Sequence, residues 1–189
     1  MSFSIKSIYQ LPPEENKTYL FDANVWKYIL LAPQNPASYE KAYIDFFDAI
    51  INLAANPMCK RKPLIHVNGL ILSEVYNALM KTYCEVFNKI SATVTSYKDY
   101  RKTSDYNANL VSVKSDLQAY KPYLDLSTDL FHQPDTILSE MPAFSDYNDH
   151  YYYKIALSNG YSVVTNDGDF KYPNVEIITY NKKLLSLTS

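Results

Sequence analysis

The chain has 189 residues, of which 47 % are hydrophobic and 20 % charged, with a formal net charge of −2. This balance predicts one globular domain over 1–189 and excludes tight, charge-driven binding of duplex nucleic acid. The sequence contains neither a secretory signal nor an apolar run near the ~20 residues of a membrane span. Cys59 and Cys84 lack the spacing of a metal site. We therefore expect a cytoplasmic protein with no membrane contact and two free, buried thiols.

Short apolar strands alternate with amphipathic helices along the first half of the chain. Apolar residues run continuously in the strands and recur every third or fourth residue in the helices. The predicted elements are, in order, a strand over 18–21, a helix over 25–31, a helix that begins near Ser38, a strand over 64–67 and a helix over 69–90.

The second half begins with a segment that is harder to interpret. A helix is predicted over 104–120, but prolines interrupt the stretch from 91 to 144, which we expect to be a helical insertion. A helix over 149–159 follows, with Gly160 directly after it, and then strands over 162–165 and 175–180. Strands separated by helices predict an α/β fold with a short, mostly parallel central sheet flanked by helices.

Acidic residues follow two of the predicted strands. Asp22 comes directly after the first strand, and Asp167 comes two residues after the strand over 162–165. Ligands of parallel sheets bind outside the carboxyl ends of the strands. Glu74 borders the core-facing stripe of its helix, and Asp149 opens the helix before the last motif. Each acid alone is also compatible with a helix cap, a turn or a solvated surface, but the combination favours a site.

Carboxylates that converge on one pocket repel one another strongly. A divalent cation relieves that repulsion, and Mg²⁺ and Mn²⁺ prefer oxygen ligands. Such a cation activates water near neutral pH and stabilises the charge that builds on a phosphate. The acidic set therefore fits metal-assisted hydrolysis of a phosphodiester.

Three stretches of the sequence, YLFDANVW, LILSEVYNALM and NDHYYYKIALSNGYSVVTNDGDF, resemble the motifs of PIN domains. The resemblance covers both ends of the chain and the Glu74 helix, but not the stretch from 91 to 144. It implies a PIN-like fold and an endoribonuclease that hydrolyses single-stranded RNA with Mg²⁺ or Mn²⁺ as its cofactor. It matches the four catalytic, metal-binding acids of the family to Asp22, Glu74, Asp149 and Asp167.

The resemblance also implies side chains that orient these acids. Asn24 matches the polar residue after the first acid, and Thr165 matches the hydroxyl residue before the fourth. Asp146 and Asp169 are additional acids and candidates for supporting the four catalytic acids through hydrogen bonds, with capping and solvation as equal alternatives.

Aromatic and basic residues are interleaved in the middle of the chain. Tyr97 and Tyr100 could stack on bases, while Arg101 and Lys102 could contact phosphates, so this stretch is a candidate RNA-binding surface. A solvated helix face is the alternative explanation for the same pattern.

The expected partners are single-stranded RNA and, if the protein is the toxin of a toxin–antitoxin pair, a cognate antitoxin protein. A homodimer is a further option. Two other functions stay open: a non-catalytic RNA- or protein-binding module that keeps the fold, and an α/β phosphatase with Asp22 as nucleophile. Asn24 counts against the phosphatase, because that chemistry expects a second acid at this position.

Overall fold

The computed structural model describes residues 3–91, 95–126, 137, 139–143 and 145–188. Within these residues, six strands form one sheet in which all pairings are parallel. The strands are β1 (Ser4–Ser7), β2 (Thr18–Phe21), β3 (Leu64–His66), β4 (Leu124–Asp125), β5 (Ser162–Val164) and β6 (Glu176–Thr179).

Helices connect the strands and flank the sheet. Several begin and end where the sequence provides caps: the Asn68 side chain accepts the Ile71 N–H at 2.8 Å, and Gly160 ends a helix at φ 68°. The helices are α1 (Ala23–Leu31), α2 (Ser38–Ala55), α3 (Gly69–Ile90), α4 (Tyr97–Tyr100), α5 (Ser104–Tyr120), α6 (Tyr147–Asn159) and α7 (Lys182–Leu185), with 3₁₀ turns over Ile8–Gln10, Lys121–Tyr123 and Ser186–Thr188.

The order of the strands creates a switch point between β2 and β5. The order is β1-β6-β5-β2-β3-β4, so β3 and β4 extend the sheet on one side of β2, and β5 and β6 extend it on the other. Phe21 pairs with Val164 in register, so Asp22 and Thr165 follow these strands side by side. Open parallel sheets bind ligands in the crevice at such a switch point.

A large aromatic core holds the end of β2 in place. Phe21, Trp26 and Phe47 are almost completely buried and contact one another at ring-centroid distances of 5.6–6.1 Å. Fully burying each such ring stabilises the fold by roughly 1.5–3 kcal/mol. Because Asp22 lies between two members of this cluster in sequence, its backbone has little freedom.

The predicted α/β class is confirmed, but the segment from 91 to 144 is not simply a helical insertion. It contains α4 and α5, and it also contributes β4, which pairs with β3 at the edge of the sheet. Positions 92–94, 127–136, 138 and 144 of this segment lie outside the described residues. The predicted free, buried thiols are confirmed at Cys59 and Cys84. Across the described part of the chain, every helix is too short or too polar to cross a membrane.

Candidate active site

Asp22 is buried at the end of β2, where it is 8 % exposed. Its Oδ2 accepts hydrogen bonds from Asn24 Nδ2 and Thr165 Oγ1, each at 2.7 Å, and its N–H donates to the Val164 carbonyl at 3.0 Å. Among the described residues around α1, no backbone N–H donates a capping hydrogen bond to the Asp22 side chain. The carboxylate is therefore held by β5 and the start of α1, and the capping alternative fails.

Thr165 connects the two acids that follow the central strands. Its hydroxyl donates to Asp22 and accepts the N–H of Asp167 at 2.9 Å. Its carbonyl accepts the Tyr43 hydroxyl at 2.8 Å. One fully buried threonine therefore fixes the relative positions of Asp22 and Asp167, as the sequence resemblance implies for this residue.

The loop after β5 is held by amide side chains that sequence reasoning missed. The Asn166 side chain donates to the Tyr28 hydroxyl at 3.1 Å, and the backbone N–H of Asn166 donates to Asn24 Oδ1 at 3.3 Å. Asn181 Nδ2 donates to the Asn166 carbonyl at 2.7 Å. The only indication of this role in the sequence was that Asn166 directly follows Thr165. These bonds order the backbone that carries Asp167.

Glu74 lies in the second turn of α3 and is held by α6. Its carboxylate accepts hydrogen bonds from Asn148 Nδ2 and from the Tyr152 hydroxyl. Burial is the largest cause that raises the pKa of Tyr152, and the hydrogen bond to Glu74 and the Glu74 charge add to it. The phenol therefore stays protonated and remains a donor. The sequence signal for Tyr152 was its position three residues after Asp149, on the same face of α6.

Four acids are close enough for their charges to act on one another, and we call them the acid site: Asp22, Glu74, Asp149 and Asp167. Burial raises the pKa of Asp22 to about 6; the Thr165 hydrogen bond opposes this rise, and the Asp167 and Glu74 charges add to it. Burial also raises the pKa of Asp149 to about 8, with further contributions from the charges of Asp146 and the other three acids.

The two additional acids have different roles. Asp146 accepts the Asp149 N–H at 2.9 Å and so caps α6, which is the capping alternative for this residue. The Asp169 carboxylate is exposed and accepts from Lys183 Nζ at 2.7 Å, which lowers its pKa. The Asp169 side chain is therefore exposed and paired with α7, which agrees with the solvation alternative, and its support of the acid site stays a prediction. Its backbone N–H does support Asp167, donating to Oδ1 at 2.8 Å.

The candidate RNA-binding surface on α4 is only partly exposed. Tyr100 is completely buried with Met80 and Cys84 of α3, and its hydroxyl donates to Asp105 at 2.7 Å. Its predicted stacking on a base is therefore wrong. Tyr97 packs partly buried on the same cluster.

The two basic residues that follow α4 stay candidates for phosphate contact, at some distance from the acids. Arg101 and Lys102 are exposed, and Lys102 pairs with Asp99 at 2.8 Å. The α3 residues under this surface, Met80 and Cys84, follow Glu74 by six and ten positions, about 9 and 15 Å along the helix axis. This surface therefore lies beyond the acid site along α3.

The acid site offers the oxygen ligands that a hard divalent cation prefers, but these ligands are not arranged around a common point. Within the described residues, no group of three or more His, Cys, Asp or Glu side chains is positioned to hold a metal ion. All four acids offer oxygen ligands, and burial, with the charges of the neighbouring acids, raises the pKa of Asp22 and of Asp149. Oxygen ligands with uncompensated repulsion fit Mg²⁺ or Mn²⁺.

Comparisons with known proteins add no relative to this picture. A scan against protein-family models, a search of curated proteins and a search of solved structures each found no match. The resemblance to PIN domains rests on the motifs alone, and the function is argued from the geometry of the acid site.

Proposed function

We propose that this chain is a metal-dependent endoribonuclease with a PIN-like fold that hydrolyses single-stranded RNA. The observation that carries the proposal is the acid site itself. Carboxylates from the end of β2, from α3, from α6 and from the β5–β6 loop act on one another near the switch point of a parallel sheet. Burial, and after it the charges of the neighbouring acids, raises the pKa of Asp22 and Asp149.

Three of the acids would hold the cation, with Mg²⁺ or Mn²⁺ as the candidates: Asp22, Asp149 and Asp167. A cation there supplies positive charge to the scissile phosphate and lowers the pKa of water. Thr165 and Asn24 fix the Asp22 carboxylate, so it meets the cation in one orientation.

Glu74 would orient the water that attacks phosphorus. Tyr152 and Asn148 occupy both carboxylate oxygens of Glu74 from one side, which fixes its direction. The water oxygen forms a bond to phosphorus while the bond to the 3′-oxygen breaks. The products are a 5′-phosphate and a 3′-hydroxyl, and the 2′-hydroxyl takes no part.

The phosphatase alternative fits the geometry less well. The residue two positions after Asp22 is Asn24, an amide that donates to Asp22 Oδ2, whereas the phosphatase chemistry expects a second acid there. The toxin role and a cognate antitoxin protein belong to the proposal through the resemblance, and a cytoplasmic location is proposed with them. A small DNA-binding protein that is encoded next to this chain and blocks its activity would support them.

The test is cleavage of single-stranded RNA in Mn²⁺, in Mg²⁺ and in excess EDTA. We expect cleavage with either metal and none in EDTA. Asp167→Asn should lower the rate by about 100-fold or more, because a ligand is lost from the group that activates water. Asp169→Asn is the matched control from the same loop, and it should retain most of the activity. Full activity in EDTA, or 2′,3′-cyclic phosphate ends, would contradict the proposal.

A further inference from the structure

A cavity of about 530 Å³ lies beside α6. Its walls come from the α6 residues His150, Tyr153 and Lys154 and from Lys171, Tyr172 and Pro173 of the β5–β6 loop, among others. Within the described residues, none of the four acids lines it. We call it the α6 cavity.

His150 is buried in this cavity without a hydrogen-bond partner. It is 3 % exposed, and among the described residues neither Nδ1 nor Nε2 has a partner. Buried polar atoms in folded proteins are almost always paired, and an exception calls for an explanation. A neutral imidazole offers one donor and one acceptor. Both nitrogens are themselves buried, so a ligand in the α6 cavity satisfies this hydrogen-bonding pair once neighbouring side chains move aside.

Aromatic rings and ammonium groups complete the α6 cavity. Tyr153 and Tyr172 stack at a centroid distance of 4.3 Å and an interplanar angle of 11°, and His150 lies 5.7 Å from each ring. Lys154 is ion-paired with Glu140, whereas Lys171 has a long contact of 3.7 Å to Asp169. Aromatic surfaces with nearby cations are the features that bind a base and its phosphate.

The acid site and the α6 cavity lie on adjacent faces of the same two elements. On α6, Asp149 and Tyr152 face the acids, while His150, Tyr153 and Lys154, at i, i+3 and i+4, face the cavity. Successive residues of a helix are about 100° apart, so the two faces are neighbours. In the β5–β6 loop, Asp167 belongs to the acid site, and the cavity wall starts four residues later.

We infer that the α6 cavity binds one base of the RNA strand whose phosphate lies at the acid site. His150 hydrogen-bonds to the edge of the base, the Tyr153–Tyr172 pair supplies aromatic contact, and Lys171 meets a phosphate. This inference rests on the proposed nuclease function for the identity of the strand. It adds a site that selects the nucleotide next to the point of cleavage.

The direct test observes the His150 ring by long-range ¹H–¹⁵N spectra, in which the chain's three histidines give few signals. The four nucleoside 5′-monophosphates and a single-stranded RNA oligonucleotide are titrated in EDTA, so that metal binding plays no part. We expect the His150 nitrogens to shift on saturation, with tighter binding of the oligonucleotide. No shift with any of these probes would overturn the inference. Equal affinity for mononucleotide and oligonucleotide would overturn the assignment to a strand.

Two variants and one control support the direct test. His150→Phe should weaken oligonucleotide binding at least tenfold while its melting temperature stays equal or rises, because an unpaired buried group is removed. Lys171→Ala should weaken binding, and Lys114→Ala, an exposed lysine on α5, should not. Unchanged binding in both His150→Phe and Lys171→Ala would count against the cavity.

The design separates this inference from the nuclease proposal. Asp167→Asn should lose cleavage and keep its His150 shift, because the α6 cavity does not contain Asp167. A wild-type protein that binds the oligonucleotide at His150 and leaves RNA intact in Mn²⁺ would remove the nuclease proposal and retain the base-binding cavity.

Discussion

Replacing Asp149 by Asn should stabilise the metal-free protein at pH 8.5 and change its stability little near pH 4. The pKa of Asp149 is raised from 3.8 to about 8, chiefly by burial and then by the neighbouring acids. Between these two values the folded state holds a proton that the unfolded state releases. Stability therefore falls as the pH rises through this window, and the loss is complete above the folded pKa. Asn has no charge to desolvate, so the variant avoids this loss.

The size of the effect follows from the shift in pKa. A shift of about four units corresponds to an upper limit of about 6 kcal/mol. Asp149 is half-buried, and its carboxylate can turn toward water, which reduces the electrostatic penalty. We expect about 2 kcal/mol at pH 8.5, or a rise in Tm of roughly 4–8 °C for a domain of this size.

The assay is denaturant unfolding of the wild type and Asp149→Asn in EDTA from pH 4 to 9. Asp116→Asn, an exposed position on α5, is the control and should follow the wild type at every pH. Saturating Mn²⁺ should then stabilise the wild type more than Asp149→Asn, because the cation needs the carboxylate. A constant difference between wild type and Asp149→Asn across the pH range would refute the reasoning.

Three other substitutions test the contacts around the acid site and α4. Thr165→Val removes the hydroxyl that joins Asp22 to Asp167, and it should lower the rate of RNA cleavage by about 10- to 100-fold in initial-rate assays. Tyr152→Phe removes a donor to Glu74, and it should cost about 1–3 kcal/mol in urea unfolding at pH 7 as well as slowing cleavage. An unchanged cleavage rate in either variant would contradict the assigned contact. Tyr100→Ala should destabilise the protein by about 3–5 kcal/mol, whereas Arg101→Ala, at the exposed position after α4, should change stability by no more than about 0.5 kcal/mol. Similar thermal shifts for these two variants would contradict the burial of Tyr100.

Local sequence signals were sufficient for the central elements. The apolar runs before Asp22 and Asn68 became β2 and β3, and the periodic stretch after Asn68 became α3, with the Asn68 side chain as its cap. The edge strands β1 and β4 were not predicted. They are short and only partly buried, so their pairing depends on β6 and β3 and not on a pattern of their own.

Tertiary contacts decided the details that the sequence could not supply. Tyr152 and Glu74 are 78 positions apart, and no local pattern indicates that their side chains meet. Tyr97 and Tyr100 have similar neighbours in sequence, but only Tyr100 is completely buried, because Cys84 and Met80 of α3 cover it. Aromatic residues suit both a core and a binding surface, and burial separates the two roles.

The most direct test of the account is the location of Mn²⁺ in crystals soaked with the ion, measured by its anomalous scattering. We expect a Mn²⁺ ion coordinated by Asp22, Asp149 and Asp167, with these carboxylates closer together than in the metal-free protein. The same soak of Asp22→Asn crystals should show a much weaker peak. A Mn²⁺ peak elsewhere on the protein, with none among these carboxylates, would contradict the proposed metal site and the nuclease function built on it.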